Sequence, residues 1–200
     1  MIYNKTHENA ILQHPQEAAE FMTFIKDKNV RSYLEIGSYY GGSLWHFVRA
    51  MPKGSRAVAV DWPNADGNRH QPLPQLQTCV NKLKGLGYDI HLYLGDSAAK
   101  PIVEKVNAHA PFDLVFIDGN HSAPYVMRDF TNYGRLAPIV CFHDISWTEK
   151  GPPTKMPCHV SQVWRELKET YKDDAHFTEI VHGDNVYGIG IMQWATETKS

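Results

Sequence analysis

At 200 residues, 42% hydrophobic and 21% charged, the chain has the size and make-up of one globular domain with a full core. A net charge of −2 with no Lys/Arg cluster argues against nucleic-acid binding, and no apolar run approaches the about 18 residues of a membrane span. Lys5, His7 and Glu8 stand where a signal peptide would be apolar, and the widely spaced Cys79, Cys141 and Cys158 fit reduced thiols, hence a cytoplasmic setting, better than a disulfide framework.

In chain order, the spacing predicts a helix over 15–28, with Pro15 early and Ala18, Phe21, Met22 and Ile25 inside. Strands are expected at 33–36, 57–60, 90–94, 114–117 and 139–142, alternating with helices near 43–51, 75–86, 98–108 and 123–134. Such alternation implies parallel pairing through right-handed crossovers, hence an α/β fold covered on both faces. A helix over 159–172 follows, then apolar runs Phe177–Val181 and Tyr187–Gln193, with Asp184-Asn185 as a hairpin turn between them. The proline-rich segments 62–74 and 146–157 follow strand ends and read either as lids over a ligand or as plain solvent loops.

Leu34-Glu35-Ile36-Gly37-Ser38-Tyr39-Tyr40-Gly41-Gly42-Ser43 is a strand, a tight glycine turn and a helix start, which brings backbone N–H groups against a ligand. A dinucleotide fingerprint aligned on Gly37 needs glycine at 39, where this chain has Tyr39. A nucleoside without a diphosphate fits better, and S-adenosylmethionine is the common one. Asp61 closes the second strand about where a carboxylate meets ribose hydroxyls. It also reads as a helix cap or solvated loop acid. Trp62 reads as a cover for adenine or ribose, or as core packing.

With Glu35-Ile36-Gly37 followed by Gly41 and Ser43, the chain resembles class I S-adenosylmethionine-dependent methyltransferases, in particular the branch related to catechol O-methyltransferase and the macrolide sugar O-methyltransferases. The resemblance implies a Rossmann-like, doubly wound, mostly parallel seven-stranded sheet ending in an antiparallel hairpin. It implies one domain over 1–200: an N-terminal helical segment (1–30), a cofactor-binding core (31–145), and a lid loop, helix and final strands (146–200). First-turn contacts to the cofactor fall on Glu35, Gly37, Ser38, Gly41 and Ser43. In that family the residue after the third strand meets the adenine amino group, which falls on Asp96 with Ser97; both also suit a helix cap.

The sharpest constellation is Asp113-Leu114-Val115-Phe116-Ile117-Asp118-Gly119-Asn120-His121, with Val140-Cys141-Phe142-His143-Asp144 one strand later. Neighbouring strand ends put Asp118 and Asp144 within reach of one ion, and two carboxylates suit a hard cation, most simply Mg²⁺. Metal-dependent O-methyltransferases place acids at these strand ends and the general base three positions after the first, which falls on His121. His143 departs from an all-oxygen set; it serves a softer metal such as Mn²⁺ or Fe²⁺, or braces the loop. A metal-free site in which Asp118 and Asp144 fix loops is the alternative. Cys158-His159 has no partner pair at zinc spacing and reads as helix-start packing.

The expected activity is metal-assisted O-methylation of a small-molecule hydroxyl, with His121 and Asp118 catalytic and Asp118 also against the cofactor. Rival expectations are a metal-independent N- or C-methyltransferase, an oxygenase like the cephalosporin hydroxylases, and a non-catalytic nucleoside-binding module. Small-molecule acceptor, no nucleic acid, no membrane and a possible homodimer complete the expectation.

Overall fold

The computed structural model describes residues 11–63, 73–147, 158–183 and 187–195. In chain order the elements are α1 (Pro15–Asp27), β1 (Ser32–Ile36), α2 (Gly42–Ala50), β2 (Arg56–Asp61), α3 (Leu73–Gly85), β3 (Asp89–Leu94), α4 (Lys100–Asn107), β4 (Leu114–Ile117), α5 (Ala123–Tyr133), β5 (Ile139–His143), α6 (Val160–Thr170), β6 (Ala175–Ile180) and β7 (Ile189–Trp194). The strands form one sheet in the order β3-β2-β1-β4-β5-β7-β6. β1 to β5 pair in parallel, and β7 enters antiparallel between β5 and β6. The expected architecture is therefore the one observed. The Asp184-Asn185 turn and most of both proline-rich loops lie outside the described residues.

Alternation along each strand divides the core into two layers. Tyr33, Ala57, Ala59, Leu114, Phe116 and Cys141 face α1, α2 and α3, where Phe21, Ile25, Leu44, Phe47, Leu76 and Leu83 close the packing. Leu34, Val58, Val60, Val115, Ile117, Val140 and Phe142 face α4, α5 and α6, against Val106, Phe130, Val163, Trp164 and Leu167. A strand covered on both faces must be apolar throughout, which is why β1, β2, β4 and β5 read as continuous runs.

Helix boundaries follow local chemistry. Pro15 opens α1, where its missing N–H costs nothing, and the His14 side chain accepts from Gln16 N. α4 starts at Lys100 rather than 98, because Asp96 Oδ1 holds Ala98 N in a turn (2.9 Å) and Pro101 sits in the first helical turn.

Chain order reverses on either side of β1, whose neighbours are β2 and β4. In an open α/β sheet, the crevice beyond the C-terminal ends at such a reversal is where ligands bind. Ile36, Asp61, Leu94, Ile117 and His143 end their strands there.

Candidate active site

The glycine turn after β1 is built by close approach. Gly37 has φ +89°, and a Cβ there would lie 2.1 Å from the Asp118 carbonyl oxygen, so only glycine lets the turn sit on the backbone after β4. Gly37 N donates to Val60 O and Asp118 N to Ile36 O, both at 2.8 Å, which ties three strand ends together. Ser38 N and Tyr39 N both donate to Asp61 Oδ2, at 2.9 and 2.7 Å. Two amides that the sequence aims at a ligand are thus spent on Asp61. Burial raises this carboxyl's pKa although the two amides oppose it. Gly41, at φ +84°, caps α2, which carries the buried Ser43 in its first turn. Beneath the turn, Glu35 is fully buried and accepts from Tyr33 Oη at 2.7 Å; burial pushes its pKa up to about 7 despite that bond.

On the β3 side, Asp96 does cap the following turn through Oδ1. Ser97 Oγ donates to Asp129 Oδ1 at 2.6 Å, and Tyr133 Oη donates to Ser97 O. Asp129, buried on α5, is held at about 6, with burial the main cause and Ser97 opposing it. Trp62 is 45% exposed beside Asp61, so it is not core packing.

At the β4 and β5 ends, four side chains interlock. His143 Nδ1 lies 3.2 Å from Asp118 Oδ1 and 3.2 Å from Asp144 Oδ1. His121 lies 3.5 Å from Asp118 through Nε2 and 3.4 Å from Asp144 through Nδ1. Asp118, His143 and Asp144 each offer a ligand atom within 4.8 Å of the others. His143 Nε2 and Asp144 Oδ1 are buried without a hydrogen-bond partner among the described residues, and Asp144 takes the left-handed φ of +64°. Strain and orphaned polar atoms concentrated in one place make this a candidate functional site. Burial disfavours charge at both histidines, but Asp118, Cys158 and Asp144 together raise His121 to about 10, and the two carboxylates raise His143. Burial likewise opposes ionisation of Asp118, yet the imidazoles hold it at about 2. The cluster sets two imidazoles against two carboxylates, the arrangement in which buried charge is tolerated.

Three participants escaped the sequence reading. Gln13, just before α1, is buried and donates Nε2 to Asp118 Oδ2 at 3.1 Å, while its Oε1 has no partner among the described residues. Asp129 is the second. The third is Cys158, which lies with His121 and Asp144, each offering a ligand atom within 4.8 Å of the others. Linear zinc spacing could not reveal that trio, because its members come from three separate segments.

Residues 34–145, more than half of the chain, match the family model described as a methyltransferase domain. The chain belongs to that family of methyltransferase domains. It is similar in fold to the O-methyltransferase TomG of Streptomyces achromogenes, involved in tomaymycin synthesis and solved with S-adenosylmethionine: 22% identity over 93% of this chain and 82% of that one, TM-score 0.68. An O-methyltransferase from Bacillus cereus, solved with S-adenosylhomocysteine, shares 14% identity over 90% of this chain and 81% of that one, TM-score 0.64. The Podospora anserina methyltransferase PaMTH1, also bound to S-adenosylhomocysteine, shares 16% over 90% and 78%, TM-score 0.61. No curated protein matches the chain. Among the described residues no helix is long and apolar enough to cross a membrane.

Proposed function

We propose that the protein transfers the methyl group of S-adenosylmethionine to a hydroxyl of a small molecule, with His121 as the base and Asp118, Asp144 and His143 as the residues that hold a divalent cation. The observation that carries the reading is convergence: His121, Asp118, His143 and Asp144 meet at two adjacent strand ends, against the glycine turn that the methyltransferase family model includes. The solved relatives described above as O-methyltransferases support oxygen as the acceptor atom.

The residues fit a cation. Two carboxylates and one imidazole come within 4.8 Å, and the buried His143 Nε2 has no hydrogen-bond partner among the described residues. The carboxylates suit Mg²⁺, and His143 admits Mn²⁺ or Fe²⁺. When bound, such a cation supplies a Lewis acid for the acceptor oxygen and offsets the negative charge that keeps His121 protonated.

The chain's own groups do the rest. Asp118 and Asp144 flank the His121 ring, one on each nitrogen, and fix its orientation. The ring is 37% exposed, so its resting proton has a path to solvent, and only the ring that has shed it takes the proton of the acceptor hydroxyl. Asp61 is assigned to ribose through its second oxygen, Trp62 to the adenosine face, and Asp96 with Ser97 to adenine. Glu35, Gly37, Ser38, Gly41 and Ser43 shape the turn beneath the sulfonium group. Positioning of two reactants supplies most of the acceleration in such a transfer.

Calorimetric titration with S-adenosylmethionine tests the first half: binding at micromolar to hundreds of micromolar is expected, and its absence removes the proposal. Transfer of labelled methyl to catechol and sugar hydroxyls, with and without EDTA, tests the second. One observation favours a metal-independent variant: His143 and His121 already face Asp118 and Asp144 without a cation. Transfer that survives EDTA and Asp144→Ala selects it.

A further inference from the structure

Methyl transfer as proposed leaves one group at the rim without a role. Cys158 lies beside His121 and Asp144, with a ligand atom from each within 4.8 Å of the other two. The juxtaposition is braced. His159 N donates to His121 O at 2.8 Å, and Ala123 N donates to His159 Nδ1 at 3.4 Å, which pins the start of α6 to the loop after β4. His121 Nδ1 faces Asp144 Oδ2 at 3.4 Å, while Nε2 lies 3.5 Å from Asp118 Oδ1. An imidazole with a carboxylate on its far nitrogen is how metal-ligating histidines are usually oriented. Cys79 and Cys141 are buried elsewhere in the core, so Cys158 is the thiol that reaches this rim among the described residues.

We propose that His121, Asp144 and Cys158 form a soft-cation site that takes Zn²⁺ through one nitrogen, one oxygen and one sulfur. Zn²⁺ is bound tetrahedrally at about 2.0 to 2.3 Å, which needs donor atoms about 3.5 Å apart. The His121–Asp144 pair already has that separation. The half-buried Cys158 and the partly exposed His121 ring close the remainder by side-chain rotation. On binding, the thiol and the imidazolium each give a proton to solvent, and the fourth position is left to water. Thiolate and imidazole select Zn²⁺ over Mg²⁺, whereas Asp118, His143 and Asp144 are the harder set. Both sets need Asp144, and the zinc set also takes His121, so one occupant excludes the other. Zn²⁺ thereby acts as an inhibitor of the hydroxyl-methylating state.

Cobalt gives a readout that needs no turnover. Reduced, metal-free protein titrated with Co²⁺ should bind one equivalent with a thiolate-to-cobalt charge-transfer band and intense tetrahedral absorption, both erased by one equivalent of Zn²⁺. Cys158→Ser should lose the charge-transfer band and weaken Zn²⁺ at least about 10-fold in competition with a chromophoric chelator. Cys158→Ala, which keeps no donor at all, should do the same with an unchanged far-ultraviolet spectrum. A wild-type protein without the band, a band that survives Cys158→Ser, or an unchanged Zn²⁺ affinity overturns the proposal. Failure of methyl transfer would leave these readouts intact, and failure of the band would leave S-adenosylmethionine binding intact, so the two readings fall separately.

Discussion

Gln13 donates its Nε2 to Asp118 Oδ2 at 3.1 Å, a bond between residues 105 positions apart. It puts the segment before α1 against the acid on which the candidate site is centred. Glu17, one turn into α1, is buried and accepts from His182 N and Gly188 N, so the same helix also ties down both ends of the β6–β7 connection. Gln13→Ala is expected to cost about 1.5 to 3 kcal/mol, the range for a hydrogen bond to a charged group. Urea denaturation measures it. Affinity for S-adenosylmethionine should stay within a few-fold, because the hydrogen bond of Gln13 goes to Asp118 and not to the glycine turn.

Gly37→Ala should be far more damaging. The new Cβ would sit 2.1 Å from one backbone oxygen and 2.7 Å from Gly119 Cα, at a φ of +89°. Backbone cannot yield as a side chain can, so a loss above about 3 kcal/mol is expected. A melt of the purified variant with less than half that loss would show that the β1 turn is not seated on the β4 end.

Stability should depend on pH through Glu35. Its folded pKa of about 7 lies above the ordinary value of 4.5, because burial favours the neutral acid. The fold therefore binds this proton more tightly than the unfolded chain does. The contribution is full below pH 4.5, declines as pH rises towards 7, and is gone above it. The span corresponds to about 3 kcal/mol. Glu35→Gln keeps a group for Tyr33 Oη and cannot ionise, so its advantage over the wild type should grow by that order between pH 4.5 and 8 in guanidinium melts. A constant difference across that range would mean that Glu35 titrates normally.

His121→Ala should lower kcat for methyl transfer by about 10² to 10⁴, the usual worth of a positioned base. Its Kd for S-adenosylmethionine should move little, since the ring contacts Asp118 and Asp144 rather than the glycine turn. Asp118→Asn should lose comparable activity and, in addition, any response to added Mg²⁺ or Mn²⁺. Radiolabel transfer across a metal series measures both.

What the sequence by itself determined was the local order. Continuous apolar runs such as Leu114–Ile117, alternating with helical patterns, read as strands covered on both faces, and Gly37 marks a turn that no other residue allows. Periodicity is a property of neighbours in the chain, so it survives in the sequence. Asp118, His121, His143 and Asp144 were legible for the same reason, since each sits at or just past the end of such a run. Even so, the 98–108 helix was read two residues too early, because side-chain capping by Asp96 competes with helix propensity there. Only the tertiary structure decided that Cys158 joins His121 and Asp144, that Gln13 reaches Asp118, and that Ser97 and Tyr39 bond to Asp129 and Asp61. Those contacts depend on strand order and on where each crossover lands. Chain spacing carries no record of either, because the same segments at the same spacing are compatible with many sheet orders.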